Sequence, residues 1–256
     1  MKKAKVLLIG HDAISTRIVY HSLLSNHDVV AVLLEKRESR FIFLQRRIKK
    51  SGWWKAMGQL LFRVLAVNFL NLASKGRIAS IIELHQFNTT PIEKSKIRNV
   101  NSVNDENTRS LIRHFLPEAI VVHGTRIIHS KTLEVLPGKF LNLHAGITPQ
   151  YRGVHGMYWA LAQDDPEHAG VTVHVVDNGI DTGKILYQEK NSAASNDNFC
   201  TYPYLQLAAG LPLLHRAIDD LQHGRFRNEP QKQKGRLWHH PTLWQYLRNR
   251  ICRGAK

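Results

Sequence analysis

Cysteine is scarce in this 256-residue chain: Cys200 and Cys252 are the only two, far apart and in no CxxC pattern. That excludes a disulfide framework and a cysteine-based zinc knuckle, and it fits a reduced, cytoplasmic setting. No two histidines stand four apart and none has a cysteine partner, so no metal site is expected. The turn after the first apolar run reads Gly10-His-Asp-Ala, which lacks the G-x-G-x-x-G of a dinucleotide site, and no P-loop occurs. No Ser or Cys sits in a nucleophile elbow, which argues against a covalent enzyme intermediate. No uninterrupted apolar stretch reaches the roughly 18–20 residues of a membrane-spanning helix. The opening MKKAKVLLIGHD mimics a signal peptide, yet its short apolar run reads better as a buried strand.

Acidic residues are the second shortage. Lys and Arg total 36 against 20 Asp and Glu, a formal charge of +16. That balance favours anionic partners such as RNA, phosphorylated metabolites or an anionic membrane, without choosing among them. The 43% hydrophobic content suffices for a sizeable core.

The apolar pattern alternates between strand and helix. Lys5 to Gly10 reads as a buried strand, Ile14 to Leu24 as a helix and Val29 to Leu34 as a second strand, a βαβ opening. Further strands are expected at Lys96–Val100, Glu118–His123, Phe140–Leu143, Val171–Val176 and Lys184–Glu189. Helices are expected at Asp105–Phe115, around Ser130–Val135, at Val154–Gln163 and at Thr201–Leu221. This predicts an α/β fold: a Rossmann-like, open, mostly parallel twisted sheet flanked by helices. The catalytic domain is expected to span 1–224, with a basic tail at 225–256 formed by a short helix and a partly mobile end.

The stretch from about 36 to 82 interrupts this pattern. Basic residues (Arg37, Arg40, Arg46, Arg47, Lys49, Lys50, Lys55 and Arg63) are interleaved there with Phe41, Phe43, Trp53, Trp54 and Phe62. One or two amphipathic helices are expected as an insert. Two readings stand: a helical cover on the sheet, or a lipid-surface or partner-binding element that places the protein at the inner face of a membrane.

The densest polar signal is Phe140-Leu-Asn-Leu-His-Ala-Gly-Ile-Thr-Pro-Gln-Tyr-Arg-Gly153. Strand geometry puts Asn142 and His144, two apart, on one face. Ligands of open α/β sheets gather beyond the carboxyl ends of the strands, where both would point. Val176-Asp-Asn-Gly-Ile-Asp-Thr-Gly183 adds Asp177 and Asp181 on a later loop. An amide donor, an imidazole and a carboxylate suit acyl transfer between nitrogens: the amide and imidazole stabilise charge on oxygen, and the His–Asp pair moves protons.

These segments resemble the folate-dependent formyltransferase family. Its motifs are N-x-H, a loop ending in L-P-x-Y-x-G, then G-x-T-x-H and D-x-x-x-D-x-G. Here they stand as Asn142-Leu-His144, Thr148-Pro149-Gln-Tyr151-Arg-Gly153, Gly170-Val-Thr172-Val-His174 and Asp177-Asn-Gly-Ile-Asp181-Thr-Gly183. The resemblance implies that Asn142, His144 and Asp181 are catalytic and that 10-formyltetrahydrofolate is the donor. It implies a donor pocket formed by Gly124, Thr125, Arg126, Ile127 and Ile128 on one side, and by Asp177, Asn178, Gly179 and Ile180 on the other. His174 matches as well, in a structural or a catalytic role. The usual Pro-Ser-Leu-Leu after the histidine is Ala145-Gly-Ile-Thr148 here, which predicts a less rigid loop.

The acceptor implied is a small primary amine carrying negative charge. An amino sugar is preferred, with Tyr151, Arg152, His155, Tyr158 and Trp159 offering stacking and phosphate-pairing groups. Methionyl-tRNA, glycinamide ribonucleotide and water are alternative acceptors, and a non-catalytic folate-binding or membrane-associated module is the alternative to an enzyme.

Overall fold

The computed structural model describes residues 3–37, 45, 47–49, 51–225 and 235–256. Arg40, Phe41, Phe43, Arg46 and Lys50 of the expected insert lie outside the described residues.

Seven strands form one sheet: β1 (Lys5–Gly10), β2 (Asp28–Glu35), β3 (Ile97–Val100), β4 (Ala119–His123), β5 (Phe140–His144), β7 (Gly170–Val175) and β8 (Ile185–Lys190). Their order is β3-β2-β1-β4-β5-β7-β8, and the first five run parallel. The strand β7 is antiparallel to both its neighbours. The result is the expected α/β fold with a mostly parallel, mixed sheet.

Both faces of the sheet are covered, which explains why β1 reads as a continuous apolar run. Val6 and Leu8 join one core with helix α1 (Ile14–Asn26) and the long helix Tyr202–Gln222. Leu7 and Ile9 join the opposite core. The second face is covered by Glu106–Phe115, whose first turn is capped by Asp105 accepting the Thr108 N–H at 2.7 Å.

A third core lies beside the sheet. Here the strand β6 (Tyr151–Gly153) pairs in parallel with β9 (Arg236–Trp238). Trp238 stacks on Tyr151 and on Trp159, with centroids 5.7 and 4.7 Å apart. The last helix, Leu243–Arg253, opens with a capping box between Thr242 and Gln245 and buries Tyr246 in this core. The described part of the basic tail is therefore packed rather than trailing.

The described residues of the insert pack on the third core and on the helix Tyr202–Gln222. The helix α2 (Trp53–Leu61), a π-helical segment Phe62–Val67 and α3 (Asn68–Ala73) run on without a break and bury Phe62 and Leu70 in the third core. At 21 residues, this stretch is long and apolar enough to cross a membrane by length and composition. Counting only uninterrupted apolar residues misses it, because Arg63, Asn68 and Asn71 punctuate the run. The next helix, α4 (Lys75–Leu84), is tied to the body by Arg77, which makes two hydrogen bonds to the Asp197 carboxylate at 2.8 and 3.0 Å.

Candidate active site

The β5–β7 register places Asn142 opposite His174 and His144 opposite Thr172. Asp181 arrives from the loop after β7 and sits between them, its backbone in the left-handed region at φ 52°. One carboxylate oxygen of Asp181 accepts the Asn142 Nδ2 amide at 3.2 Å and lies 3.5 Å from His174 Nε2. The other accepts the Gly153 N–H at 2.8 Å and lies 3.4 Å from His144 Nδ1. Thus Asn142, His144 and Asp181, 39 residues apart at the extremes, come together at the carboxyl end of β5, Asn142 hydrogen-bonded to Asp181 and His144 Nδ1 facing its other oxygen.

Both histidines are oriented by backbone carbonyls. The Nδ1–H of His174 reaches the Val175 carbonyl at 2.9 Å, which leaves its Nε2 to accept from Asn142 at 3.1 Å. The Nε2–H of His144 donates to the Tyr151 carbonyl at 2.8 Å, which turns its Nδ1 toward Asp181. Gly146 makes this possible: a Cβ there would stand 2.6 Å from the Tyr151 oxygen and 2.9 Å from His144 Nε2.

Burial pushes the His144 ring below its ordinary pKa, while Asp181 and the Tyr151 carbonyl pull the other way. Burial would also raise Asp181, but His144, His174 and the Gly153 N–H outweigh it and hold the carboxyl at about 2. The site therefore carries a fixed carboxylate beside a histidine that burial keeps neutral.

The loop expected to be slack is held at several points. The Thr148 N–H donates to the Thr172 hydroxyl at 3.1 Å, and that hydroxyl donates to the Gly146 carbonyl at 2.7 Å. Gln188 Nε2 reaches the Thr148 carbonyl at 2.7 Å. These contacts brace the loop where the family's proline is replaced by Ala145.

The two expected walls of the donor pocket approach each other, bridged by Ser130 Oγ donating to Asn178 Oδ1 at 2.9 Å. Arg126 does not face that space with its side chain. Its guanidinium Nε lies 2.7 Å from Glu35, whose carboxylate also takes the backbone N–H groups of Val103 and Arg126. Asn104 completes the brace by donating to the Ile127 carbonyl at 2.8 Å. The Arg126 N–H is itself given to Glu35 and its carbonyl accepts from Thr125, while Ile127 is exposed and Ile128 buried. Across the pocket, Asp177 shapes its own loop by accepting from Gly179 N and Thr182 Oγ1, with Ile180 partly exposed beyond.

The expected acceptor residues diverge. The Tyr151 ring is buried, with its hydroxyl donating to Asp165 at 2.8 Å. Tyr158 is buried in the third core, its hydroxyl accepting from Asn249, and burial pushes its pKa up to about 12. Trp159 is buried too and donates to the His239 carbonyl. These three aromatics hold the third core together and do not form a stacking surface. His155 shares a hydrogen bond with His240 at 2.9 Å and is held well below its ordinary pKa by burial, then by His240 and Arg47. Arg152 donates to the Gly235 carbonyl at 2.7 Å, and its buried Nε has no hydrogen-bond partner among the described residues.

Sequence reasoning missed Glu35, Asn104 and Gln188, and assigned no role to the Tyr151 carbonyl or the Gly153 N–H. Nothing in a strand-end Glu or a pre-helical Asn marks them, since each acts on a backbone segment distant in sequence.

Residues 73–203 match the family described as formyl transferase. The chain is 34% identical over 140 residues to the methionyl-tRNA formyltransferase of Thermodesulfovibrio yellowstonii, covering 54% of this chain and 44% of that protein. It is 31% identical over 121 residues to the corresponding protein of Pelobacter propionicus, covering 47% of this chain and 38% of that one. Each match thus spans less than half of the relative's length. Among solved structures, a 4-N formyltransferase from Francisella tularensis shares the fold with a TM-score of 0.57 and 17% identity, over 95% of this chain and 78% of that one. Glycinamide ribonucleotide transformylase 1 from Symbiobacterium toebii does so with a TM-score of 0.57 and 16% identity, over 93% and 95%.

Proposed function

Since the chain belongs to the formyl transferase family, we propose that it transfers a formyl group from 10-formyltetrahydrofolate to a primary amine, in the cytoplasm. The observation that carries the reading is the convergence of Asn142, His144 and Asp181 on one point at the carboxyl end of β5.

The chemistry follows from that geometry. The amine nitrogen attacks the formyl carbon, and the carbonyl electron pair moves onto oxygen. The Asn142 Nδ2 hydrogen now directed at His174 turns to that oxygen. Neutral His144 takes the proton of the attacking amine on Nδ1, and the imidazolium formed is stabilised by the Asp181 carboxylate. Collapse of the tetrahedral species breaks the bond to the folate N10, and the proton held by His144 passes to that leaving nitrogen. The Tyr151 carbonyl fixes the ring throughout. The donor's pterin is held by backbone groups of Gly124–Ile128, which Glu35 and Asn104 brace, and its other side faces Asp177–Ile180.

The acceptor favoured is an amino sugar bearing phosphate. Excess positive charge and the buried Nε of Arg152, without a partner among the described residues, support an anionic group on the acceptor. Methionyl-tRNA is the second reading, favoured by the names of the two sequence relatives. Calorimetry with a non-transferable folate analogue tests the donor, and nicotinamide binding in its place would sink that assignment. A panel of phosphorylated amino sugars, charged tRNA and glycinamide ribonucleotide then sorts the acceptors.

A further inference from the structure

We propose that the exposed apolar face shared by Trp53–Ala73 and Leu243–Arg253 docks the protein on an anionic membrane surface, lying on the bilayer and not through it.

Trp53, Met57, Leu60, Val64, Phe69 and Leu72 are all exposed, Phe69 at 67% and Leu72 at 65%. At the turn of an α-helix throughout, Phe69 would sit about 160° around the helix from Trp53. The wider π turns of Phe62–Val67 rotate it back to roughly 50° and keep the exposed residues in one stripe. The opposite side is committed to the body through Ala56, Gly58, Gln59, Phe62 and Leu70. Gln59 is held there by Arg47 and by the His240 carbonyl, each at 2.6 Å. A helix so attached along one side is not free to insert across a bilayer.

The second helix extends the same patch. Its Trp244, Leu247 and Ile251 fall at helical spacing and are exposed, Ile251 at 81%. The helices meet where Trp244 packs against Gly58, with no room for a Cβ, and stacks on Trp54 at 5.2 Å. Trp53 packs edge-on to Trp54, so three tryptophans cluster on the patch.

Charge selects the occupant. Neither Asp nor Glu occurs between positions 39 and 82 or between 235 and 256, whereas Lys55, Arg63, Lys75 and Arg248 are exposed around the face. A second copy would bring like charges together, which opposes an isologous dimer. RNA would meet the basic rim but leave the aliphatic stripe unmatched. An anionic bilayer matches both, taking tryptophan and aliphatic side chains at the headgroup boundary and the cations at its surface.

Flotation of the full chain with vesicles of phosphatidylcholine, alone or mixed with phosphatidylglycerol, tests this. Co-flotation is expected with the mixed vesicles only, falling at least about tenfold at high salt. Leu65→Glu with Phe69→Glu should abolish it, and Lys55→Gln with Arg63→Gln and Arg248→Gln should weaken it about tenfold or more. Circular dichroism and the thermal midpoint should stay unchanged in both variants, since every altered side chain is exposed. Absence of flotation, equal binding to neutral vesicles, or a dimer in light scattering that Leu65→Glu with Phe69→Glu dissociates would overturn the proposal. None of these outcomes depends on formyl transfer.

Discussion

Replacing Asp181 by Asn keeps the side chain's shape and removes its charge, so the effect can be worked out from the contacts. The carboxylate lies within 3.5 Å of both histidines and accepts the Gly153 and Asn142 N–H groups on different oxygens. Its pKa of about 2 stands against 3.8 for a free aspartate, a difference worth about 2 kcal/mol of stability where the facing histidines carry charge. Only 12% of the side chain is exposed, so solvent screening takes little of this away. An amide has a single acceptor oxygen, so one of the two N–H donors must face an NH2 group, a loss of about 1–3 kcal/mol. The two terms overlap, and about 3 kcal/mol is the expected total where the histidines are charged. The charge-dependent part has a definite sign. Because the folded pKa is depressed, that stability is present above about pH 4 and disappears as pH falls toward about 2. Urea unfolding of both proteins at a series of pH values from 7 to 3 measures it. The gap should narrow as pH falls below about 4, leaving the part due to the lost acceptor. A gap that stays constant or widens below about pH 4 would refute the assignment of a buried, histidine-paired carboxylate.

Other consequences are open to direct measurement. Gly153 has φ 98°, and a Cβ there would run into the Trp238 carbonyl, so Gly153→Ala should cost at least about 2 kcal/mol; an unchanged melting temperature would contradict this. Glu35→Gln removes a buried carboxylate that accepts from the Val103 and Arg126 N–H groups and the half-exposed Arg126 guanidinium, and should cost about 1–3 kcal/mol in urea unfolding while weakening binding of a folate analogue. Unaltered stability and affinity would show that Glu35 does not brace the loop. Burial pushes the Cys200 thiol up to about 11, whereas Cys252 is exposed. A thiol reagent at pH 8 should therefore modify one cysteine in the folded protein and both in urea, and two rapid modifications would be inconsistent with the packing around Cys200.

The sheet was legible because its central strands β1 and β4 are apolar on both faces and the strands alternate with helical spacing, so each core segment announced its element within a residue or two. Asn142 and His144 were legible for the same reason, since a period of two places them on one face. Asp181 was found through motif order, not geometry, because its approach depends on the antiparallel turn of β7 and a left-handed residue in a loop. The place of Tyr151 and Tyr158 in the third core was not legible, because an aromatic near a catalytic loop looks the same whether it faces substrate or core. Only the packing of β9 against β6 decides between these, and the tail's pairing partner is more than 80 residues away. The exposed stripe of the insert was blurred for a related reason. A purely α-helical reading splits it, and nothing local in the sequence announces the π turns that realign it.

Release of tetrahydrofolate from 10-formyltetrahydrofolate, followed with and without amine acceptors and with mass detection of the formylated product, tests the central claim most directly. The account predicts amine-dependent release by the native chain, with Asn142→Ala, His144→Ala and Asp181→Asn each slower by about 10²–10⁴-fold. Near-native rates in any two of these variants would contradict it, as would an absence of formylated product across the whole acceptor panel.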